Sequence, residues 1–315
     1  MALARLNSAE EWMARWGDGR KPAVVTIGNF DGIHRGHREI LRRVTEQARQ
    51  KGQLAAVLTL FPHPLKILRP SEAPALLMTI AQRLAAFEAV GIDAALVLPF
   101  HLELSKVSPE DFVRRYLVET MRASKVLVGE NFRFGHRQGG NVQALENYGR
   151  QWGFEVESVK SLTVDGTVAS SSAIREALRD GRMADAQLML GRPFALEGEI
   201  QTGTGQGRKL VVPTLNLKTE QEMLPKRGVY ATETSVGGKM HGSVTNVGTR
   251  PTFDGSRVTI ETHLLDFGEN CTSGKMKIRF LTRLRDERKF ASAEELREQV
   301  LKDIESAKEF HRRPR

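Results

Sequence analysis

The sequence holds a single cysteine, Cys271, in 315 residues. An intrachain disulfide is therefore impossible, and cysteine-rich zinc sites are excluded. Three tyrosines and three tryptophans leave few platforms on which single-stranded bases could stack. No apolar run approaches the roughly 18–20 residues that a membrane-spanning helix needs. The opening stretch, Met1 to Gly17, lacks the apolar segment of a secretory leader. Internal repeats and low-complexity tracts are missing as well. These absences lead us to expect a soluble cytoplasmic protein with neither a membrane nor a nucleic acid as its partner.

Apolar residues make up 40% and charged residues 27% of the chain, which suits a globular protein with a sizeable core. At about 150 residues per domain, the length suggests two domains. Lys and Arg exceed Asp and Glu by 47 − 38 = 9, a balance that suits polyanions, either nucleic acid or nucleotide phosphates. Much of that charge falls at helical spacing (Arg38, Arg42, Arg43, Arg49), where a solvated face is its ordinary explanation.

From residue 23 to about 182, β-like and α-like segments alternate. Ala23–Ile27, Leu54–Leu60, Ala94–Leu98, Lys125–Val128 and Phe154–Val159 read as buried strands. Helices are expected over His37–Lys51, from Thr79 to Val90 and over about Asn141–Trp152. Ser108 and Asp111, with Pro109 between them, resemble a capping box that opens a further helix. Repeated βα units imply a parallel, doubly wound sheet with its ligand site at the carboxyl ends of the strands. Beyond about residue 192, short runs recur between Gly- and Pro-bearing turns (195–201, 229–234, 242–247, 258–265, 275–281). This pattern suits an antiparallel barrel or sandwich, closed by one amphipathic helix over about Ser292–Phe310. The expected division is residues 1–182, a linker at 183–191, and residues 192–315.

The first strand runs into Gly28-Asn29-Phe30-Asp31-Gly32-Ile33-His34-Arg35-Gly36-His37, with a helix to follow. Glycines there let backbone approach a phosphate, and the helix start adds oriented N–H groups. No Gly-Lys-Ser/Thr follows, so this is not a Walker A loop, and the dinucleotide fingerprint is absent too. A lone histidine is usually a satisfied surface or core residue. His34 and His37 are three apart at a helix start, where both can donate hydrogen bonds to charge developing on phosphorus. A zinc site would need a third ligand at helical spacing, and none is present.

Gly28, Phe30, Asp31, Gly32, His34 and His37 together resemble the signature of the HIGH-motif nucleotidylyltransferases. Ser170-Ser171-Ser172-Ala173-Ile174-Arg175 is similar to their second motif. Read alone, the serines are an ordinary N-cap; the resemblance implies that Ser171, Ser172 and Arg175 bind the nucleotide's phosphates. Phe61-Pro62-His63-Pro64 and the stretch from Gly129 to Gly135 resemble the FAD synthetase branch, which implies that Phe61, Pro62, Pro64 and Asn131 meet flavin. Many members of that branch have Asp where this chain has Asn131. Core packing is the other explanation for Phe132 and Phe134.

In the second half, Pro213-Thr214-Leu215-Asn216 places a hydroxyl and an amide oxygen on one face of an extended segment. Such hard ligands suit a Mg²⁺ that keeps waters and nucleotide phosphates. Period-two alternation puts Glu261 with Thr259 and His263, opposite Ile260 and Leu264. Glu261 is then either a simple surface carboxylate or a general base that takes a proton from an alcohol. This half resembles the riboflavin kinases through Pro213–Asn216, Asn246–Phe253, the Glu261 strand and Arg285–Phe290. The resemblance implies a phosphate loop that includes Gly198, Gly203 and Pro213, with Thr214 and Asn216 as ligands of Mg²⁺ bound with ATP. Two departures are visible: Val211-Val212 where the family has Gly-Phe, and Ser273 where it often has Tyr.

Nearly the whole chain thus resembles the bacterial bifunctional riboflavin kinases/FAD synthetases. The implied fold is α/β: a Rossmann-like doubly wound nucleotidylyltransferase domain, then an antiparallel β-barrel kinase domain with a closing helix. The implied substrates are riboflavin, FMN and ATP. Two alternatives are a different HIGH-motif nucleotidylyltransferase and a non-catalytic flavin- or RNA-binding regulator on the same fold. The first would lack the second domain; the second would not need His34, His37, Thr214, Asn216 and Glu261 together.

Overall fold

The computed structural model describes residues 2–17, 19, 21–201, 212–252, 255–267 and 271–313, with backbone only for 250–252 and 255–257. They form two compact units, Met1–Ala169 and Ser170–Arg315.

In the first unit the order is β1 (Ala4–Leu6), α1 (Ala9–Trp16), β2 (Ala23–Ile27), α2 (Arg35–Lys51), β3 (Leu54–Phe61), α3 (Pro64–Leu68) and α4 (Ile80–Ala89). Then come β4 (Ala94–Pro99), α5 (Leu102–Ser105), α6 (Pro109–Phe112), β5 (Ala123–Gly129), α7 (Val142–Trp152), β6 (Glu155–Val159) and a small hairpin of β7 (Thr163–Val164) and β8 (Thr167–Val168). The six-stranded sheet has the order β1-β4-β3-β2-β5-β6 and is parallel at every pairing. All five residues of β2 are buried, as expected for a central parallel strand covered on both faces. One apolar cluster packs Trp12, Val25, Leu58, Leu117 and Leu145 on one side of the sheet. Val24, Leu41, Val57, Phe87 and Val97 pack on the other.

Strand order reverses between β2 and β5, so the crevice at the carboxyl end of β2 is the topological switch point. The Gly28–His37 loop lies there. Helix ends follow local chemistry. Gly52 stops α2 in the left-handed region at φ 63°, and Thr79 and Gln82 form a complete capping box on α4. Ser108 caps α6 through Asp111 N, while its hydroxyl donates to the Asp111 carboxylate at 2.8 Å. The chain then winds on from Val113 to Thr120 as a wider helix.

The second unit begins with α8 (Ser171–Asp180) and α9 (Met183–Leu190). Segment 183–191, expected as a linker, is therefore largely helical, with Met183, Ala186, Met189 and Leu190 buried. Lys226 N donates to Leu178 O at 2.8 Å, which ties α8 to the rest of this unit. Next are β9 (Phe194–Gln201), β10 (Leu215–Lys218), β11 (Gly228–Val236), β12 (Lys239–Thr252), β13 (Gly255–Leu264), β14 (Lys275–Arg285) and α10 (Ala293–Arg312). The six strands close as β10-β13-β12-β11-β14-β9, with antiparallel neighbours throughout. Of the alternatives left open by the strand spacing, the chain adopts the barrel. Buried hydroxyls of Thr234, Ser243, Thr232, Thr245 and Thr262 satisfy one another at 2.8–2.9 Å, so these polar groups are buried without loss. The expected closing helix α10 packs Ile304 and Ala307 onto Val229, Ala231 and Val244.

Candidate functional site

At the switch point, His34 is the N-cap of α2, and its Nδ1 accepts from His37 N at 3.4 Å. The imidazole rings of His34 and His37 stack with centroids 3.7 Å apart. Three-residue spacing at a helix start brings the two rings together, as the sequence indicated. His37 Nδ1 is buried and has no hydrogen-bond partner among the described residues. Burial, followed by the charge of His34, holds the His37 pKa well below the usual 6.5. His37 is therefore neutral at pH 7 and has one N–H to donate.

The loop that carries these groups is strained. Phe30 and Ile33 have φ of 50° and 40°, a region that disfavours side chains with a Cβ. Both are buried at 2% exposure. Phe30 meets His37 and Phe87 edge-on, at 5.1 and 5.5 Å. The Asp31 carboxylate accepts from Leu77 N and Met78 N at 3.0 and 3.1 Å. Of the residues that the motif suggests for nucleotide binding, Phe30 and Asp31 also hold the loop through these contacts, and Gly32 turns it at φ 85°. A Cβ on Gly36 would stand 3.2 Å from His34 Nδ1, so glycine there leaves the first histidine its place.

The second loop of this unit follows β3. Phe61 is exposed at 36% and precedes a cis bond to Pro62; Pro64 opens α3, which buries none of its residues. Asn29 Nδ2 lies 3.2 Å from His63 Nε2, which links the cradle to this loop. Neither Asn29 nor His63 was singled out as a site residue in the sequence, because the link spans 34 positions. Asn131 is exposed in the turn after β5, also at the carboxyl edge of the sheet. Phe134 is buried and stacks on Phe132 at 5.4 Å, so this pair belongs to the core. A cavity of about 660 Å³ flanks the start of α2, lined by Arg35, Gly36, Arg38, Lys160, Ser161 and Leu162 among others. Its size is that of a small-molecule site.

In the second unit, Ser170 caps α8 through Ala173 N at 3.2 Å, so Ser171 and Ser172 occupy the first turn. Arg175, one turn on, is 6% exposed. The barrel brings together residues that the sequence keeps far apart. Asn216 pairs with Glu261 between β10 and β13, and Glu261 pairs with Asn246 between β13 and β12. Directly opposed residues share a face, with Cβ atoms about 4.5–5.5 Å apart. Glu261 therefore sits in a row between two amides, on the face away from buried Ile260, Thr262 and Leu264. Asn246 is the site residue that the sequence reading missed; the Asn-Val-Gly run was its only signal. Glu287, from the segment after β14, accepts from Thr249 N at 3.0 Å and pins this end of β12.

Thr214 immediately precedes β10, and the Pro213 carbonyl bonds to His263 Nδ1 at 2.9 Å. The oxygen donors of Thr214 and Asn216 are of the hard type that suits a cation keeping most of its own waters. Among the described residues no group of three or more His, Cys, Asp or Glu could hold a metal. Gly198 has a steric purpose: a Cβ there would stand 1.9 Å from Lys218 O, across the β9–β10 pairing that closes the barrel. Gly203 and Val211 lie outside the described residues.

The sequence profile of FAD synthetase matches residues 18–173, and that of riboflavin kinase matches residues 190–311. The bifunctional riboflavin kinase/FMN adenylyltransferase of Escherichia coli (strain K12) is 35% identical over 288 residues, 91% of this chain and 92% of that protein. The protein of the same description from Pseudomonas fluorescens is 35% identical, covering 90% and 92%. The one from Haemophilus influenzae is 33% identical, covering 91% and 94%. Among solved structures, a crystal structure described as a macrolide-efflux protein from Streptococcus pneumoniae has a TM-score of 0.85 at 25% identity, over 98% of this chain and 99% of that one. That is a likeness of fold. No helix among the described residues is long and apolar enough to cross a membrane.

Proposed function

The chain belongs to the family of bifunctional riboflavin kinase/FMN adenylyltransferases, and we propose how its residues divide the two reactions. It phosphorylates riboflavin with ATP to give FMN, then adenylylates FMN with ATP to give FAD and pyrophosphate. What supports this reading is that one chain holds two different arrangements suited to phosphate transfer. Stacked His34 and His37 lie at a sheet switch point, and Glu261 lies between Asn216 and Asn246 on a closed barrel.

In adenylylation, an FMN phosphate oxygen attacks the α-phosphorus of ATP and pyrophosphate leaves. His34 and His37 donate hydrogen bonds to the oxygens that gain charge in the transition state. The neutral state of His37 supports this role, since a neutral imidazole can donate without carrying a buried charge. The adenosine half takes the cavity beside Gly36, which Arg35, Arg38 and Lys160 help to line. Ser171, Ser172 and Arg175, through the resemblance of their stretch to the second nucleotidylyltransferase motif, bind the nucleotide's phosphates. Phe61, Pro62, Pro64 and Asn131 meet the flavin.

In the kinase reaction, Glu261 accepts the proton of the ribityl 5′-hydroxyl as the hydroxyl oxygen attacks the γ-phosphorus of ATP and ADP leaves. Asn216 and Asn246, flanking Glu261, orient the alcohol and the phosphate. Thr214 and Asn216 would hold Mg²⁺ with ATP. When bound, that ion neutralises phosphate charge. Pro213 belongs to the phosphate loop.

The test is to incubate pure protein with riboflavin, ATP and Mg²⁺ and separate the flavins by chromatography. FMN should appear first and FAD after it, and both should require the metal. Failure to convert riboflavin, with FMN still converted to FAD, would remove the kinase half of the reading.

A further inference from the structure

Arg83 on α4 is 2% exposed, although isolated buried charges are among the costliest groups a fold can carry. Its Nη1 donates to Asn29 O at 2.7 Å. Its Nε and Nη2 are buried and have no hydrogen-bond partner among the described residues. The guanidinium lies over the Phe61 ring, 5.8 Å from its centroid. Burial pushes its pKa down, and the charge of Asp31 opposes that shift. A buried cation with a single hydrogen bond is poor stabilising chemistry. Apolar replacements of buried ionic groups are often neutral or stabilising.

What this cation touches gives it a purpose. Asn29 and Phe61 belong to the two loops that line the adenylylation site, and Asn29 already meets His63 across them. One turn along α4, Phe87 packs on Phe30, so positions i and i+4 of a single helix face grip consecutive residues of the strained cradle. Just before that helix, Leu77 N and Met78 N hold Asp31. The left-handed turns at Phe30 and Ile33 therefore persist because the segment 77–87 grips the loop from outside.

We propose that Arg83 is a positioning residue for adenylyl transfer: it fixes the Asn29 carbonyl against the Phe61 ring and so sets the distance between the histidine cradle and the flavin loop. This rests on the adenylylation reading given above. Because Arg83 touches neither substrate nor reacting atoms, its loss is expected in kcat rather than in KM.

The experiment compares the full-length parent with Arg83→Met and Arg83→Lys, with FMN and FAD formation assayed separately and thermal unfolding followed by circular dichroism. Arg83→Met should unfold no earlier than the parent and lower the kcat of FAD formation by about 10–10²-fold, the scale of a small misplacement of reacting groups. KM for FMN and ATP should stay within about threefold, and FMN formation from riboflavin should be unchanged. Arg83→Lys, which keeps a charged donor, should recover most of the rate. A parental FAD rate in Arg83→Met overturns the proposal, as does a Lys variant no faster than the Met variant. If Arg83→Met does not fold, Arg83→Gln takes its place. Its shorter neutral amide should still lower kcat about fivefold or more, and a parental rate there also overturns the role. A parent that makes no FAD from FMN would instead refute the underlying function, so the two failures are distinguishable.

Discussion

His37 is a buried imidazole beside a second imidazole, and its depressed pKa fixes the sign of two effects. The folded chain binds the His37 proton less readily than the unfolded chain does. Its contribution to stability is therefore complete above the ordinary 6.5 and is lost as pH falls below it toward the depressed value. In kinetics, kcat/KM for FAD formation should stay level as pH falls through 6.5, because His37 is already neutral there. A pH–rate profile with an acid limb at or above 6.5 that disappears in His37→Asn would contradict this. His37→Ala should lower FAD formation by about 10²–10³-fold, the usual effect of losing one donor to developing charge, while FMN formation continues. Glu261 gives the complementary result. Glu261→Gln keeps its shape between Asn216 and Asn246 but removes the base, so kinase kcat should fall about 10²–10⁴-fold. FAD synthesis from supplied FMN should remain at the parent rate; an unchanged kinase rate would show that the proton goes elsewhere. The histidines could be read from sequence because three positions on a helix start are neighbours by geometry alone. The amides beside Glu261 could not, because strand pairing brings them there from 45 residues before it and 15 residues before it respectively.

Among the elements, α10 closes the second unit through a paired charge as well as an apolar stripe. Arg285 donates to both carboxylate oxygens of Asp303, at 2.8 and 2.7 Å, and Gln299 donates to the same carboxylate at 2.9 Å. The Asp303 side chain is 7% exposed and that of Arg285 21%, so removing one partner leaves the other partly desolvated. Asp303→Ala should cost about 3 kcal/mol, at the lower end for a broken buried pair, measured by urea denaturation of the full chain. A change below about 0.5 kcal/mol, the range of ordinary surface substitutions, would mean that the apolar stripe holds the helix alone. That an amphipathic helix closes the chain was legible from helical periodicity. The Arg285–Asp303 pair was not, since a charged residue on a helix is ordinarily solvated and only the path of β14 brings the arginine under it. The same limit applies to α4, where periodicity marks Arg83 as one more cation and only the packed structure buries it.

At the scale of the molecule, each unit closes its own sheet, one open and parallel, the other a barrel. Residues 170–315, produced as a fragment, should therefore fold by circular dichroism and convert riboflavin to FMN. A fragment that starts at Arg192 lacks α8 and α9, which bury Ile174, Leu178, Met183, Ala186, Met189 and Leu190. Beginning there should lower the unfolding temperature relative to the longer fragment, since some of the surface those side chains cover is then opened to water. Equal stability of the two would show that the helix pair contributes nothing to the barrel unit.

The sequence by itself determined what depends on near neighbours. The alternation of strands and helices, the glycine-rich run into α2, the stacked histidine pair, the caps at Thr79 and Ser170 and the outward face of Glu261 all follow from periods of two and of 3.6 residues. The tertiary structure alone decided three other things. It placed the reversal of strand order at β2, set Glu261 between Asn216 and Asn246, and brought Arg83 onto Asn29. Each depends on pairing or packing across long stretches of chain, which local propensity does not encode, and each exists only once the sheet or the barrel has closed.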